Sequence, residues 1–333
     1  MAKTLWHGRM TASPFLLAMI KPVLLILAVT GYLFSIDQRP RPQPAAATLV
    51  RRTVNEIIEY RSINFTTLLS RVNRSFATMA TTPTTAQIIE DGSLSSSMRT
   101  SSFRPMMSDA EQILLREILV VLVDVLERLK VTYFIYSGTL IGSYRHHGLV
   151  PWDDDVDLQV DAAGRHRLRS ELERLEPEYG LTPITEYQWK FFARSSPPVP
   201  GHRYHYPLVD VMFFRYNSET LWDASRISHA LHSRSDLRLI FPLVRRPFWD
   251  VLLYAPRHTD RYLRINYDMG RCVANSMSHR LERPFRSVST TDCSALRAVY
   301  PFVVRSGSSV DGVNETLRLG DETLGWFTQR ILD

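Results

Sequence analysis

A run of acidic residues that leads directly into a hydrophobic alternation is the feature that most constrains the fold of this chain. The acidic residues are Asp153, Asp154, Asp155 and Asp157, within the segment Pro151–Val160. Val156, Leu158 and Val160 alternate with polar residues, which predicts a strand with one buried face. Side chains two residues apart on a strand point the same way, so Asp155 and Asp157 are expected to share the other face.

Two carboxylates on one face of a strand repel each other strongly unless a divalent cation lies between them. Oxygen ligands of this kind suit Mg²⁺ or Mn²⁺, and such ions commonly hold phosphate groups. Asp155 and Asp157 are therefore candidate metal ligands. The alternative is an acidic turn that only precedes a strand.

The residues before this run form a second candidate element. Tyr133–Tyr136 is a short apolar run that predicts a strand, and Leu140–Arg145 could form a short helix. Between them lie Ser137, Gly138 and Thr139. A strand, a turn of small residues and a helix N-terminus can direct backbone N–H groups at a phosphate, and a glycine lets the ligand approach closely.

The stretch Ser137–Leu158 as a whole resembles the signature of the LicD/fukutin family. Bacterial members transfer phosphocholine to surface glycans, and animal members transfer ribitol phosphate to a protein-linked glycan. The resemblance implies an α+β nucleotidyltransferase fold, similar to the core of DNA polymerase beta, with a mixed sheet and flanking helices. In that fold a third carboxylate comes from a later strand.

Asp210 is the candidate for this third carboxylate. It is the only charged residue in the apolar run Pro207–Phe214, and a buried aspartate is costly unless it is paired or binds a metal. The alternative is an aspartate that caps a turn. The resemblance also makes Asp153 a further metal candidate, with Asp154 facing the other way. Asp268 stands where the family usually has glycine.

The chemistry that the resemblance implies is metal-dependent transfer of a phospho-alcohol, either phosphocholine or an alditol phosphate such as ribitol phosphate. The donor would be a CDP-activated alcohol, and the acceptor a sugar hydroxyl of a glycan or glycoprotein. Asp155 and Asp157 would hold the metal, and Asp210 would complete its shell or deprotonate the acceptor. The phosphate would be cradled by Ser137, Gly138 and Thr139, with Arg145 as a further contact or as a salt-bridge partner of the acidic loop.

Two other functions stay open at this point. The chain could be a catalytically silent Golgi scaffold for glycan-modifying enzymes, or a nucleotidyltransferase that moves the nucleotide itself. A nucleic-acid partner is not expected. The net charge is only +6 over 333 residues, and the basic residues are scattered rather than clustered with aromatic ones.

The N-terminal part of the sequence predicts a membrane anchor. Residues 15–36 are mostly apolar and long enough to span a bilayer, with residues 1–14 as a cytoplasmic tail. A cleaved signal peptide is the alternative. Residues 37–106 are interpreted as a stem with a helix over 50–76, which could form oligomers or lie on the catalytic domain. That domain is assigned to residues 107–333.

Sequons and cysteines bear on the compartment. Asn64, Asn73 and Asn314 each begin a glycosylation sequon after the anchor. With the family resemblance, they predict a single-pass type II protein of the Golgi or endoplasmic reticulum, with its catalytic domain in the lumen. Cys272 and Cys293 could form one disulfide there, or could be two unpaired buried thiols.

Three further elements are predicted for the catalytic domain. Ser108 and Glu111 have the spacing of a capping box before an apolar helix over Ile113–Leu129. A second helix is expected over Asp161–Glu176, and Trp189–Phe192 is expected to form a strand.

Overall fold

The computed structural model describes residues 55–81, 101–224, 234–306 and 312–332. The helices are α1 (Phe65–Thr81), α2 (Asp109–Arg128), α3 (Ser137–His146), α4 (Arg165–Glu173), α5 (Leu237–Ile240) and α6 (Thr259–Asn266). Short 3₁₀ helices cover Ser101–Phe103, Ala162–Gly164 and Cys293–Leu296. The strands before residue 225 are β1 (Asn55–Arg61), β2 (Tyr133–Ile135), β3 (Val156–Asp161), β4 (Tyr179–Thr185), β5 (Gln188–Ala193), β6 (Leu208–Tyr216) and β7 (Thr220–Asp223). The later strands are β8 (Ser235–Asp236), β9 (Val244–Phe248), β10 (Val251–Ala255), β11 (Arg271–Val273), β12 (Met277–Ser278), β13 (Arg283–Pro284), β14 (Thr290–Asp292), β15 (Phe302–Arg305), β16 (Gly312–Leu319) and β17 (Glu322–Leu332).

A mixed sheet forms the centre of the fold. Its strands run in the order β2-β3-β6-β5-β4, and β7 extends it by pairing with β6 and β8. Only β3 and β6 pair in parallel, whereas the other pairs are antiparallel. The inner strands are apolar on both faces apart from a few charged residues, as expected for strands that are covered on both sides. The α+β class with a mixed sheet is thus confirmed.

Helix α2 packs against this sheet, and its start follows from the sequence. The Ser108 hydroxyl accepts a hydrogen bond from the Glu111 N–H, and the Glu111 carboxylate accepts one from the Ser108 N–H. This reciprocal capping satisfies two N–H groups that the first helical turn leaves free. Leu115, Ile118 and Leu122 lie on one stripe of the helix and are fully buried. The predicted capping box and apolar helix are therefore confirmed.

A second, antiparallel sheet joins the two ends of the described chain. Its order is β1-β17-β16-β15, and β1 pairs with β17 over its whole length. The helix predicted over residues 50–76 is therefore wrong in its first half, because residues 55–61 are a strand. The spacing of apolar residues there fits a helix, but pairing with a strand from the far end of the chain prevails.

Residues 55–81 also differ from the predicted stem. Phe65 and Leu69 of α1 are buried in the same hydrophobic core as α2 and the central sheet. Of the two roles left open for the helix, packing on the catalytic domain is the one observed. The predicted tail 1–14 and anchor 15–36 lie outside the described residues. None of the helices described is both long enough and apolar enough to cross a membrane.

Candidate active site

The three predicted carboxylates meet on one face of the central sheet. Asp157 of β3 and Asp210 of β6 are direct neighbours across the parallel strand pair. Asp155 precedes β3 by one residue and points the same way as Asp157. Carboxylate oxygens of Asp155, Asp157 and Asp210 all lie within 4.8 Å of one another. Asp210 is in the middle of a strand and caps no turn, so its position excludes the alternative considered from the sequence.

Burial makes this arrangement unfavourable without a cation. The side chains of Asp155 and Asp210 are almost completely buried. Oδ1 of Asp210 has no hydrogen-bond partner among the residues that the structure describes, although Oδ2 accepts from Lys190. A buried carboxylate oxygen without a donor is rare, because leaving it unsatisfied is costly. The orphaned oxygen and the all-oxygen set fit a hard divalent cation such as Mg²⁺ or Mn²⁺.

The protonation behaviour of the acids agrees with this fit. Burial, reinforced by the charge of Asp210, raises the pKa of Asp157 to about 7. Burial, followed by the charge of Asp157, raises the pKa of Asp155 well above its ordinary value. For Asp153, burial and the charge of Asp154 raise the pKa to about 6. A positive charge at the centre of the cluster would stabilise the ionised form of each of these carboxylates.

Asp153 and Asp154 are held by a segment from much later in the chain. Asn275 donates its side-chain N–H to Oδ1 of Asp153 at 2.9 Å and to Oδ1 of Asp154 at 3.1 Å. The His279 backbone N–H donates to Oδ2 of Asp154 at 3.0 Å. Asn275 therefore holds both Asp153 and Asp154. Ligand atoms of Asp154, Asp155 and His279 also lie within 4.8 Å of one another, so Asp154 does not face away from Asp155 as the resemblance implied.

His279 links this segment to the metal candidates. Its Nδ1 lies 2.8 Å from Asp154 and its Nε2 lies 3.4 Å from Oδ2 of Asp155. Burial favours the neutral ring, but the hydrogen bond to Asp154 and the charge of Asp155 prevail and raise the pKa of His279 to about 10. An imidazolium at this position balances part of the acidic charge.

The turn of small residues has two structural tasks that the sequence did not indicate. Helix α3 begins at Ser137, three residues earlier than predicted. The Thr139 hydroxyl accepts a hydrogen bond from the Asp157 N–H at 2.7 Å and so holds the start of strand β3. A Cβ at Gly138 would approach Oδ2 of Asp153 to 2.5 Å, so any larger residue there would require the Asp153 carboxylate to shift. Ser137 and Gly138 line the cavity in front of the carboxylates.

Of the two roles predicted for Arg145, the structure does not show the salt bridge to the acidic loop, because the side chain has other partners. Its guanidinium donates to the backbone carbonyl groups of Asp268, Met269 and Arg271 at 3.0–3.3 Å. It does not pair with the acidic loop in the described structure. The residue nevertheless lines the cavity, so a phosphate contact stays a prediction. Asp268 accepts a hydrogen bond from the Gly270 N–H and thereby stabilises the turn that Arg145 contacts.

A cavity of about 980 Å³ opens in front of the acids. It is large enough for a nucleotide-activated alcohol, since ligand pockets usually measure about 300–1,000 Å³. Its walls combine charged, aromatic and apolar side chains, among them Tyr136, Tyr267, Arg271, Lys190, Tyr204 and Glu282. Sequence reasoning missed Lys190, His279, Asn275 and Glu282. A signal existed only for Lys190, which is the lone charge in strand β5, as Asp210 is in the apolar run Pro207–Phe214.

The segment that carries Asn275, His279 and Glu282 is closed by a disulfide. Cys272 and Cys293 are bonded to each other, which decides between the two possibilities left open by the sequence. Of the predicted glycosylation sites, Asn64 and Asn314 have exposed side chains. Oδ1 of Asn64 caps helix α1 by accepting from the Thr67 N–H. Asn73 lies in α1.

Comparison with known proteins agrees with this geometry. Residues 130–258 match the family described as LicD/FKTN/FKRP, nucleotidyltransferase domain. The resemblance read from Ser137–Leu158 is thus confirmed, and the matched range contains all the predicted metal-binding and phosphate-binding residues. The segment that holds Asn275, His279 and Glu282 lies beyond the matched range.

The chain is also similar to individual proteins whose names describe transferases. The mouse and human proteins named ribitol 5-phosphate transferase FKRP are each 28% identical over 160 residues. These matches cover 47% of this chain but only 31% of the relatives, so the chain spans about a third of their length. Lipopolysaccharide cholinephosphotransferase LicD of Haemophilus influenzae is 53% identical over 34 residues, which are 10% of this chain and 13% of that protein.

Among solved structures, a lincosamide antibiotic adenylyltransferase, LnuA, with lincomycin bound, is similar with a TM-score of 0.32 and 13% identity. The match covers 46% of this chain and 85% of that chain.

Proposed function

We propose that the protein transfers a phospho-alcohol from a CDP-activated donor to a sugar hydroxyl, in a reaction that needs a divalent cation. The observation that carries the proposal is the set Asp155, Asp157 and Asp210, because its oxygens converge within 4.8 Å and one of them is buried without a partner. The relatives whose names describe transfer of ribitol phosphate and phosphocholine support this choice of reaction.

The carboxylates have separate tasks in the proposed reaction. Asp155 and Asp157 would hold Mg²⁺ or Mn²⁺, which when bound would neutralise charge on the donor diphosphate and on the leaving CMP. Asp210 would complete the ligand set or accept the proton of the sugar hydroxyl. Attack of that hydroxyl on the phosphorus of the phospho-alcohol forms the new ester bond and breaks the bond to the CMP phosphate. The Ser137–Gly138 turn and Arg145 would contact the phosphates from the wall of the cavity.

The intact acids favour an enzyme over a silent scaffold. A chain without catalytic work has no physical reason to keep mutually repelling carboxylates in a buried site. The membrane anchor, the Golgi or endoplasmic reticulum lumen, the glycan acceptor and any oligomer through residues 37–106 remain parts of the proposal that rest on the sequence.

Incubation of the full-length chain with CDP-ribitol or CDP-choline, Mg²⁺ and a glycan acceptor tests the proposal. Release of CMP that stops with EDTA and in Asp157→Asn supports it, and Asp321→Asn is a control because Asp321 is fully exposed. Release of pyrophosphate from a nucleoside triphosphate would instead establish nucleotide transfer. Absence of any donor cleavage under all these conditions would favour a scaffold.

A further inference from the structure

Lys190 is a buried cation that lies in line with the metal candidates. On the central sheet, Lys190 of β5 is the direct neighbour of Asp210, which in turn is the direct neighbour of Asp157. Its ammonium donates to Oδ2 of Asp210 at 3.0 Å and lies 5.0 Å from the centre of the Tyr204 ring. The side chain is 7% exposed and forms part of the cavity wall. A charge so deeply buried needs a reason beyond solubility.

The ammonium has a second anionic partner, Glu282, whose Oε1 lies 3.2 Å away. Glu282 does not belong to the sheet. It lies in the turn between β12 and β13, within the segment that the disulfide closes. Its φ angle is 48°, in the left-handed region that residues other than glycine rarely adopt. Such strained residues persist where the surrounding structure holds them, often at ligand-binding sites.

The two partners of Lys190 therefore differ in kind. Asp210 is fixed by the sheet and is itself a candidate metal ligand. A phosphoryl oxygen bound near Asp210 would therefore come within reach of the Lys190 ammonium. Glu282 is carried by a turn at the cavity wall, and its carboxylate presents the same kind of acceptor as a phosphate oxygen. Lysine offers a compact charge with three N–H donors and can exchange one oxygen acceptor for another.

We propose that Lys190 contacts the phosphoryl group of the donor and that Glu282 holds this place on the ammonium until a phosphate displaces it. The inference rests on the proposed function and adds to it a catalytic cation and a competing internal anion. No proton is transferred in the exchange, because Lys190 stays an ammonium with either partner. The chemical class recognised is a diphosphate, in a nucleotide-activated donor or as free inorganic pyrophosphate.

Binding of Mg²⁺-pyrophosphate and of Mg²⁺-CDP to the full-length chain, measured by calorimetry, tests this exchange. In Glu282→Gln, which keeps the shape and removes the competing charge, we expect the Kd for both probes to fall at least about threefold. In Lys190→Met, we expect it to rise at least about tenfold. In the double variant, Glu282→Gln should no longer improve binding, because the ammonium it competes for is absent.

Several results would overturn the inference. One is an unchanged or weaker affinity in Glu282→Gln. Another is an equal effect of Glu282→Gln with and without Lys190, and a third is no binding of pyrophosphate by either the wild type or Glu282→Gln. If Lys190→Met fails to fold, the Kd values of Lys190→Arg and Glu282→Gln for the same two probes still test whether Glu282 and phosphate compete for the cation.

The proposed function can fail separately. Tighter pyrophosphate binding in Glu282→Gln with no CMP release from any CDP-alcohol would keep the phosphate contact and reject the donor. CMP release with no effect of Glu282→Gln on Kd would support the proposed reaction and reject the exchange of Glu282 for a phosphate.

Discussion

Asp157 and Asp210 stand side by side at the same level of two parallel strands, with carboxylate oxygens close enough to share one cation. The pairing joins the acidic run found first in the sequence to an isolated aspartate far along the chain. Both side chains face the cavity, and the register of β3 against β6 fixes their separation.

Divalent cations should stabilise the protein through Asp157. A metal concentration of about 100 times the Kd adds about 2.7 kcal/mol, which corresponds to a rise in melting temperature of about 5 to 10 °C. Asp157→Asn should lose this response, yet be at least as stable as the wild type in EDTA, because it removes a repelling charge. Calorimetric melting with Mg²⁺, Mn²⁺ and EDTA measures both effects. An Asp157→Asn protein that responds to metal like Asp321→Asn would contradict the site.

Asp210→Asn should separate catalysis from folding. The amide keeps the size of the side chain but removes a charge that the proposed reaction needs, so turnover should fall at least about a hundredfold. In EDTA the unfolding free energy should change little, because relieved repulsion offsets the weaker contact with Lys190. CMP release and urea denaturation on the same preparation give the two values. Nearly normal turnover together with a clear loss of stability would indicate a structural aspartate.

The Cys272–Cys293 disulfide should support the site as well as the fold. It closes a segment of about twenty residues, and a loop of that length corresponds to about 3 kcal/mol. A Cys272→Ser/Cys293→Ser variant should therefore melt earlier, be cut faster by trypsin at the exposed Arg286, and bind donor less tightly. A thiol reductant should lower the melting temperature of the wild type and leave that of the double variant unchanged. Equal trypsin cleavage rates in both proteins would show that the segment does not depend on the bond.

Glu315 provides a test of acid stability away from the active site. This buried carboxylate contacts Arg246, Arg305 and His147, each at 2.8 Å. Burial alone would raise the pKa of Glu315, but the two guanidinium charges and the His147 hydrogen bond lower it well below its ordinary value. Because the folded-state pKa is depressed, the stabilisation is present above the unfolded-state pKa of about 4.5 and is lost as the pH falls below it.

Glu315→Gln should cost about 3 kcal/mol or more at pH 7, since it leaves buried guanidinium groups without their counter-charge. The difference in unfolding free energy from the wild type should shrink as the pH falls from 5 to 3. Urea denaturation across that range measures it. A difference that stays constant with pH would show that the charge of Glu315 does not contribute.

The sequence predicted the part of the site that lies on strands. Asp155 and Asp157 could be found because they are two residues apart where an acidic run leads into a strand. Asp210 could be found because it interrupts an apolar run, where a charge requires a partner. Lys190 has the same pattern and could have been found in the same way. His279, Asn275 and Glu282 could not, because they lie in a segment without periodicity and reach the acids only through the fold.

Other differences have the same origin. Arg145 turned out to contact carbonyl groups of residues 268–271, which no local pattern connects to it. Strand β1 looked helical because its local spacing of apolar residues carries no information about β17. Local sequence patterns thus indicated most helices and strands and the three carboxylates of the site. The contacts that Arg145 and strand β1 make depend on distant segments of the chain, which local patterns do not reveal.

The pairing of β1 with β17 sets the boundaries for any recombinant form of the domain. A version that starts near residue 107, the predicted start of the catalytic domain, would lack β1 and α1. Strand β17 would then become an open sheet edge, which favours aggregation, and Phe65 and Leu69 would leave a hole in the core. A stable and soluble recombinant domain therefore has to begin upstream of Asn55 and include the part of the predicted stem that forms β1 and α1.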